Sequence, residues 1–151
     1  MPAMRPRTPP DDVLERLTAH CRESGMKVTP QRIAVYRAVA GSCAHPTPDE
    51  VFHEVRADMP SLSLATVYKT FDCLVELGLI ARVANDGSTH RYDANLEPHH
   101  HLVCGSCDSI TDFTDAGLSR LRLPRNLDGF APEKVSVQVI GTCEDCQDDL
   151  R

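Results

Sequence analysis

Hydrophobic residues recur with a helical period in four segments of the first half of the chain. The segments are DDVLERLTAHCRES, TPQRIAVYRAVA, TPDEVFHEVRA and SLATVYKTFDCLVELG. The buried faces predicted for the first and last segments consist of Val13, Leu14, Leu17 and Cys21, and of Leu64, Val67, Phe71, Leu74, Val75 and Leu77. This spacing predicts four amphipathic helices that pack around a common core.

Capping residues mark the ends of these helices. Thr29 and Thr47 are each followed by a proline, which is favoured at the first helical position. Glu50 lies three residues after Thr47, so the two form a predicted capping box. Ser63 is the predicted N-cap of the fourth helix, and Gly78 ends it.

After the fourth helix the pattern changes from helical to strand-like. LIARVANDGSTHRYDA predicts two short strands around the turn Asn85-Asp86-Gly87. Helices followed by a two-stranded hairpin are typical of a winged helix-turn-helix domain. Farther on, HHLVC, SITDF and KVSVQVIGTC predict strands, and DAGLSRLRL predicts a helix between them.

The patterns together predict an α/β (α+β) protein with two domains. We expect a disordered tail over residues 1–10, a winged-helix domain over 11–93, a linker over 94–97, and a small α/β domain over 98–151. The 151 residues and the 41% hydrophobic content are sufficient for two small cores.

Charge and hydropathy restrict the location and the partners. No apolar run approaches the roughly 20 residues that a membrane span needs. The beginning of the chain, MPAMRPRTPP, lacks the apolar region of a secretory signal, so we expect a cytoplasmic protein with no membrane partner. Residues 1–92 carry 11 basic and 11 acidic residues, whereas residues 93–151 carry 5 and 11. The acidic excess therefore lies in the second half, and the first half can still dock on DNA through a local basic face.

Four of the seven cysteines form two Cys-x-x-Cys pairs, Cys104 with Cys107 and Cys143 with Cys146, with 35 residues between the pairs. Four thiolates in this arrangement predict a structural zinc site, which would join the end of the last strand to the start of the first. One or two redox dithiols are the alternative. The other three cysteines are predicted to be small buried apolar residues: Cys21, Cys43 and Cys73.

Three consecutive histidines precede the first cysteine pair. In an extended segment, side chains alternate between two faces, so His99 and His101 share one face while His100 and Cys104 point to the other. A His-x-His pair on a strand is a common metal-binding element, although a surface histidine cluster has the same spacing.

Three further residues are candidate metal ligands, and each has an ordinary alternative explanation. His45 precedes a proline in a loop, Asp86 suits the hairpin turn without a metal, and Asp112 can be a solvated strand end. Spacing alone does not bring these residues together.

Several motifs together resemble the ferric uptake regulator (Fur) superfamily. KVTPQR, HPTPDEVF, SLSLATVYKTFDCLVELGLI, HHHLVCGSC and GTCEDC occur in the family's order over about residues 11–147. The resemblance implies a dimeric, metal-responsive repressor with an N-terminal winged helix that binds DNA and a C-terminal α/β domain that dimerises. A regulatory metal between the domains would set their relative angle.

The resemblance also assigns the metal ligands by position. The regulatory site would comprise His45, Asp86, His99, His101 and Asp112, with Gly87 as an alternative alignment to Asp86. The structural zinc site would comprise Cys104, Cys107, Cys143 and Cys146. A further site of many members should be absent, because Pro98, Ser119 and Val135 occupy its remaining positions.

The donor types favour one branch of the family. Zinc-uptake members commonly place a cysteine in the regulatory site, and no cysteine lies between Cys73 and Cys104. Imidazole and oxygen ligands suit Fe(II) or Mn(II). Two aspartates rather than glutamates resemble the peroxide-sensing (PerR) branch. An iron-responsive repressor of metal-uptake genes is the first alternative, and a zinc-responsive one is the second. By this resemblance, Fe(II) holds the DNA-binding dimer, and peroxide oxidises His45 or His99 and thereby releases the DNA.

The predicted recognition helix spans residues 64–77. Tyr68 resembles the base-contacting tyrosine of the family, Thr66 and Lys69 are its predicted phosphate or base neighbours, and Lys27 resembles a residue that reaches the minor groove. A partly buried core aromatic is the alternative for Tyr68. A two-fold dimer predicts an inverted-repeat operator in double-stranded DNA. The resemblance implies that this operator is AT-rich.

Two other classes of protein compete with a repressor. A metalloenzyme could use His99 and His101, but the chain has no nucleophile motif and no His-Glu-x-x-His signature. A zinc-stabilised interaction protein with a thiol switch would need no regulatory metal. Replacing the two histidines distinguishes these classes, because only a metal-dependent regulator would lose DNA binding and keep its zinc.

Overall fold

The computed structural model describes residues 11–83 and 89–149. The chain divides between Leu96 and Glu97 into two compact units, a position inside the predicted linker. The predicted tail over residues 1–10 lies outside the described residues. Among the helices described, none has the length and apolar character required to cross a membrane.

The first unit begins with the four predicted helices. Their bounds are α1 Val13–Glu23, α2 Pro30–Gly41, α3 Pro48–Arg56 and α4 Leu64–Glu76. The side chains of Thr29 and Ser63 accept hydrogen bonds from backbone N–H groups in the first turns of α2 and α4. Thr47 and Glu50 form the predicted capping box at the start of α3. The observed caps confirm the predicted starts of α2, α3 and α4.

The apolar faces of the four helices enclose one core. Its largest buried side chains in α1, α2 and α4 include Leu17, Tyr36 and Phe71. Two residues predicted to be buried are not: Leu14 is 48% exposed and Leu64 is 36% exposed. Successive helical residues lie about 100° apart, so Leu14 points away from the core that its neighbour Val13 faces. Leu64 is the first residue of α4 and lies at the edge of the packed region.

A two-stranded hairpin completes the first unit. Strand β1, Ala81–Val83, pairs antiparallel with β2, Arg91–Asp93. Tyr92 in β2 is buried and meets Phe71 of α4 edge-to-face, with ring centroids 4.7 Å apart. This aromatic contact fixes the hairpin to the helical core. The predicted turn Asn85-Asp86-Gly87 lies outside the described residues.

The second unit contains a three-stranded sheet in the order β4-β3-β5. The strands are β3 His100–Cys104, β4 Ile110–Phe113 and β5 Gln138–Gly141, and the short helices are α5 Ala116–Ser119 and α6 Glu144–Asp148. Strand β3 is antiparallel to β4 and parallel to β5. Two predicted elements are shorter than expected, and α6 was not predicted.

The shorter elements have local causes. Residues 134–137 were predicted to belong to the last strand, but its pairing with β3 begins only where the carbonyl of Val137 accepts from the His101 N–H, 3.0 Å away. The predicted helix DAGLSRLRL ends at Ser119. Pro124 disfavours helical backbone at Leu123, and both Leu121 and Leu123 are exposed, so no packing extends α5.

Candidate metal centres and nucleic-acid interface

The four paired cysteines converge at one end of the sheet. Cys104 is the last residue of β3, and it pairs with Gly141 at the end of the parallel strand β5. The four cysteine sulfurs all lie within 4.8 Å of one another, and those of Cys107 and Cys143 are 3.8 Å apart. Zinc–sulfur bonds of about 2.3 Å place tetrahedral sulfurs at about that separation, so the group fits a zinc ion.

The placement of this group corrects one detail of the prediction. The cysteines were expected to join the end of the last strand to the start of the first strand. They instead join the ends of both strands, because β3 and β5 run parallel and Cys104 closes β3. A strand–helix–strand segment separates the two pairs, as predicted.

Hydrogen bonds prepare part of the cysteine group for ionisation. The backbone N–H of Cys143 lies 3.3 Å from the Cys104 sulfur. This N–H and those of Cys107 and Ser106 lower the pKa of Cys104 to about 6. Hydrogen bonding to Ser109 likewise lowers the pKa of Cys107.

Cys146 has the opposite tendency. Hydrogen bonds with Cys143 and then with Cys107 raise the pKa of Cys146, because its proton is shared with neighbouring sulfurs. The metal-free group therefore keeps a proton that a divalent cation would displace.

The three consecutive histidines face in two directions, as the alternation predicted. The Nδ1 of His99 lies 2.7 Å from the Glu97 carbonyl oxygen, so Nδ1–H donates and Nε2 carries the lone pair. That Nε2 lies 3.0 Å from Nε2 of His101. His100 points away: its Nδ1 accepts from the Val137 N–H at 3.2 Å, and its Nε2 is 3.1 Å from the Ser119 hydroxyl. His100 therefore connects β3 to Val137, which precedes β5, and to Ser119 in α5, and it does not join the His99–His101 pair.

Asp112 joins the histidine pair through the register of the sheet. It is the cross-strand partner of His101 in the antiparallel β3–β4 pair, so both side chains lie on the same face. One of its carboxylate oxygens lies 3.5 Å from Nε2 of each of His99 and His101. The second unit thus presents two imidazoles and one carboxylate as a three-residue group.

The first unit presents a second, smaller group. His45 is buried in the loop between α2 and α3, and its Nε2 lies 3.4 Å from a carboxylate oxygen of Asp93, at the end of β2. The other oxygen of Asp93 accepts from the Asn95 N–H at 2.7 Å. Arg91 donates to the His45 carbonyl at 3.2 Å. The backbone of His45 is left-handed (φ 52°), a conformation that costs energy for a residue with a side chain.

Sequence reasoning missed Asp93. The predicted ligand Asp86 lies outside the described residues, and its assignment remains a prediction. Asp93 had a usable signal, because it is an acidic residue within a predicted strand rather than in a turn. A buried carboxylate needs a partner, whereas the hairpin turn accounts for Asp86 without one.

The structure also locates Ser119 and the three cysteines outside the two Cys-x-x-Cys pairs. Ser119, predicted to replace a ligand of a further site, is instead the hydroxyl partner of His100. Cys21 and Cys73 are buried as predicted, whereas Cys43 is only partly buried and lies in the loop after α2. Cys73 contacts the Met26 sulfur at 3.4 Å. These three cysteines lie outside the metal-binding candidates.

The predicted DNA-contacting residues lie on the surface of the first unit. Tyr68 on α4 is 45% exposed, which argues against a core role, and its hydroxyl donates to Asp49 on α3 at 2.6 Å. This hydrogen bond raises the pKa of Tyr68. Lys69 and Lys27 are exposed. Thr66 is partly exposed, and its hydroxyl meets Ser63 at 2.8 Å.

Comparison with known sequences finds a family and individual relatives of this chain. The sequence model of the ferric uptake regulator family (FUR) matches residues 23–140. The "Peroxide-responsive repressor PerR" of Staphylococcus aureus is 32% identical over 136 residues, which cover 89% of this chain and 92% of that protein.

Solved structures with the same architecture include two bacterial regulators. The Helicobacter pylori ferric uptake regulator Fur, described as having three functional metal binding sites, has a TM-score of 0.72 at 25% identity and covers 91% of this chain and 93% of its own. The Campylobacter jejuni peroxide stress regulator has a TM-score of 0.62 at 30% identity, with 88% and 98% covered.

Proposed function

We propose that this chain is a peroxide-sensing repressor. It belongs to the ferric uptake regulator family of metal-responsive transcriptional regulators. In this proposal the protein binds its operator when a regulatory Fe(II) or Mn(II) ion is present, and peroxide releases the iron-loaded form. The observation that carries the proposal is the pair of nitrogen- and oxygen-donor groups, one in each unit.

The regulatory ion takes ligands from both groups. The proposed ligands are His45, Asp93, His99, His101 and Asp112. Imidazole and carboxylate donors suit Fe(II) and Mn(II), and the absence of a thiolate from this set disfavours a zinc-uptake regulator. Asp93 takes the place proposed from sequence for Asp86, because it lies beside His45. An ion that binds the DNA-binding state more tightly than the other state couples metal binding to DNA binding.

A second ion, zinc, has a structural role. Four cysteine ligands would complete a tetrahedral site and leave no position for water or peroxide. The sulfur separations of the group support this assignment. Zinc would hold β3 and β5 together at the end where both strands finish.

Peroxide sensing would depend on histidines at the regulatory ion. His45 and His99 would be ligands of the ion. Bound Fe(II) would activate peroxide, so that one peroxide oxygen is inserted into a C–H bond of one of these imidazole rings and the other leaves as water, whereas Mn(II) would not support this chemistry. The Glu97 carbonyl accepts from the His99 Nδ1–H and so restrains the orientation of the ring, including Nε2 and the ring carbon beside it. An oxidised ring no longer offers the same donor, so the metal is released. Two observations support the peroxide-sensing branch of the family. Both proposed carboxylate ligands are aspartates, and the chain matches a peroxide-responsive relative.

An iron-responsive repressor of uptake genes is the second candidate. The structural likeness to a ferric uptake regulator supports it, and the same donors bind iron. In that case DNA binding would follow iron supply and would survive a peroxide pulse.

The proposed partners are a second copy of the chain and an AT-rich inverted-repeat operator. In the second unit, β5 forms an edge of the described sheet, and its Val139 is the cross-strand partner of Leu102 on β3, so the two exposed side chains share one face. Apolar residues exposed together on a small sheet support self-association. A two-fold dimer would present two α4 helices to two half-sites.

The metal dependence can be tested with histidine variants. DNA binding is measured by fluorescence anisotropy with Mn(II), and zinc content is measured in the same samples. We expect His99→Ala and His101→Ala to lose metal-dependent binding and to keep zinc. A thiol-switch protein would bind its partner equally well with or without these histidines, and that result would reject the proposal.

A further inference from the structure

The hydroxyl of Tyr68 is held by a residue of a different helix. Tyr68 lies on α4 and donates to a carboxylate oxygen of Asp49, in the first turn of α3, at 2.6 Å. This distance is typical of a charge-assisted O–H···O⁻ bond. The bond raises the pKa of Tyr68, so the hydroxyl stays protonated. The ring itself remains 45% exposed.

Asp49 is itself held in place by the start of α3. Thr47, two positions before it, and Glu50, the next residue, form the capping box that fixes this turn. A carboxylate is also favoured in the first turn of a helix, where backbone N–H groups are unsatisfied. The acceptor for the Tyr68 proton is therefore a preorganised part of the helix-turn-helix surface.

A phenolic hydroxyl has a single proton to donate. When Asp49 accepts that proton, the oxygen of Tyr68 offers only lone pairs to a further partner. In the major groove, adenine N6 and cytosine N4 are donors, whereas guanine O6 and N7 and thymine O4 are acceptors. The orientation of one proton thus decides which base edges the tyrosine can bind.

We infer that Asp49 is a specificity-determining residue, which makes the Tyr68 hydroxyl an acceptor for the amino group of an adenine or cytosine. The inference rests on the proposed function, in which α4 is the recognition helix. Asp49 also carries a negative charge that DNA phosphates repel, so it lowers affinity for all DNA while it sharpens selection among sequences.

Three variants test the inference in the full-length, Mn(II)-loaded protein. Asp49→Asn removes the charge but keeps an oxygen that can accept the proton, whereas Asp49→Ala removes both. Tyr68→Phe removes the hydroxyl. Each protein selects sites from a library of randomised DNA duplexes, and the base preference is measured at every position. Thermal unfolding confirms that the variants remain folded.

We expect one position in each half-site at which the native protein prefers adenine or cytosine by about fivefold or more. Tyr68→Phe and Asp49→Ala should both lose that preference. A fourth protein that combines Tyr68→Phe with Asp49→Ala should lose no more than either single variant. Asp49→Asn should keep most of it. Both Asp49 variants should bind unselected DNA more tightly than the native protein does.

The possible failures can be told apart. If Tyr68→Phe alters selection but Asp49→Ala does not, the inference is overturned and the proposed recognition helix stands. If Asp49→Asn loses the preference as fully as Asp49→Ala, charge rather than proton orientation is responsible, which also overturns it. If metal-dependent binding persists and no variant alters selection, Tyr68 does not read bases, and both the inference and that part of the proposed function fail.

A measurement without DNA tests the contact itself. Phenolate absorbance is titrated in the native protein and in Asp49→Ala, with Tyr68→Phe identifying the Tyr68 signal. Loss of the Asp49 acceptor should lower the pKa of Tyr68. An unchanged titration would show that the hydroxyl does not donate to Asp49, and the inference would be overturned.

Discussion

The Nε2 atoms of His99 and His101 lie 3.0 Å apart and face the same carboxylate oxygen of Asp112. Two imidazole nitrogens at this separation share either a proton or a metal ion. The Glu97 carbonyl holds the Nδ1–H of His99, so its Nε2 is oriented as a ligand before any metal binds. A strand-based His-x-His element supported by a cross-strand aspartate is therefore the rigid part of the proposed regulatory site.

The histidines of this segment should differ sharply in their roles. We expect His101→Ala to abolish tight Mn(II) binding and leave zinc content unchanged. His100→Ala should leave the Mn(II) affinity within a few-fold of the native value but destabilise the second unit, because His100 is buried and bonded to Val137 and Ser119. Isothermal titration with Mn(II) and thermal unfolding separate the two effects. Equal loss of Mn(II) binding in both variants would contradict the assignment.

The identity of the carboxylate ligand beside His45 can be tested directly. Asp93→Asn should weaken Mn(II) binding by at least about tenfold, because a carboxylate ligand becomes a neutral amide. Asp86→Asn is the matched control and should bind Mn(II) like the native protein. A large effect of Asp86→Asn alone would restore the assignment made from sequence.

Arg91 should act as a positioning residue for His45. Its guanidinium donates to the His45 carbonyl and lies 3.5 Å from a Glu50 oxygen, so it fixes a loop with left-handed backbone. We expect Arg91→Ala to reduce Mn(II) affinity several-fold. Arg82→Ala, which removes the other hairpin arginine and its exposed contact with Asp72, should not. Equal Mn(II) affinities in the two variants would remove this role from Arg91.

Zinc binding should release fewer protons than the number of cysteine ligands. The pKa of Cys104 is lowered to about 6 by backbone N–H groups, so this sulfur is already a thiolate at neutral pH. The pKa of Cys146 is raised by its sulfur neighbours, so zinc must displace its proton. A pH indicator in weak buffer measures the release. As pH falls through about 6, protons compete for Cys104 as well, and the apparent zinc affinity should fall more steeply. Release of four protons at neutral pH would contradict this picture.

Local sequence signals predicted the framework well. The capping residues Thr29, Thr47 and Ser63 fixed three helix starts, because a side-chain cap depends on residues only a few positions away. Strand alternation separated His99 and His101 from His100 for the same reason. The fold class and the family also followed from sequence, and the family match confirms them.

Tertiary contacts were the part that sequence could not supply. The pairing of Asp93 with His45 joins a strand end to a loop 48 positions earlier, and no local period encodes it. The contact between Tyr68 and Asp49 likewise depends on how α3 and α4 cross. Leu14 was misplaced because hydrophobicity alone does not tell which neighbouring helical position faces the core.

The central claim is that one iron site controls DNA binding and is destroyed by peroxide. The most direct measurement follows binding to an AT-rich inverted-repeat duplex under anaerobic conditions, before and after a peroxide pulse, with Fe(II)- and Mn(II)-loaded protein in parallel. We expect only the iron form to release DNA, with a gain of one oxygen mass on the peptide containing His45 or His99. If the iron form binds and keeps its DNA after peroxide, with both histidines unmodified, the peroxide-sensing account is wrong and an iron-responsive repressor takes its place.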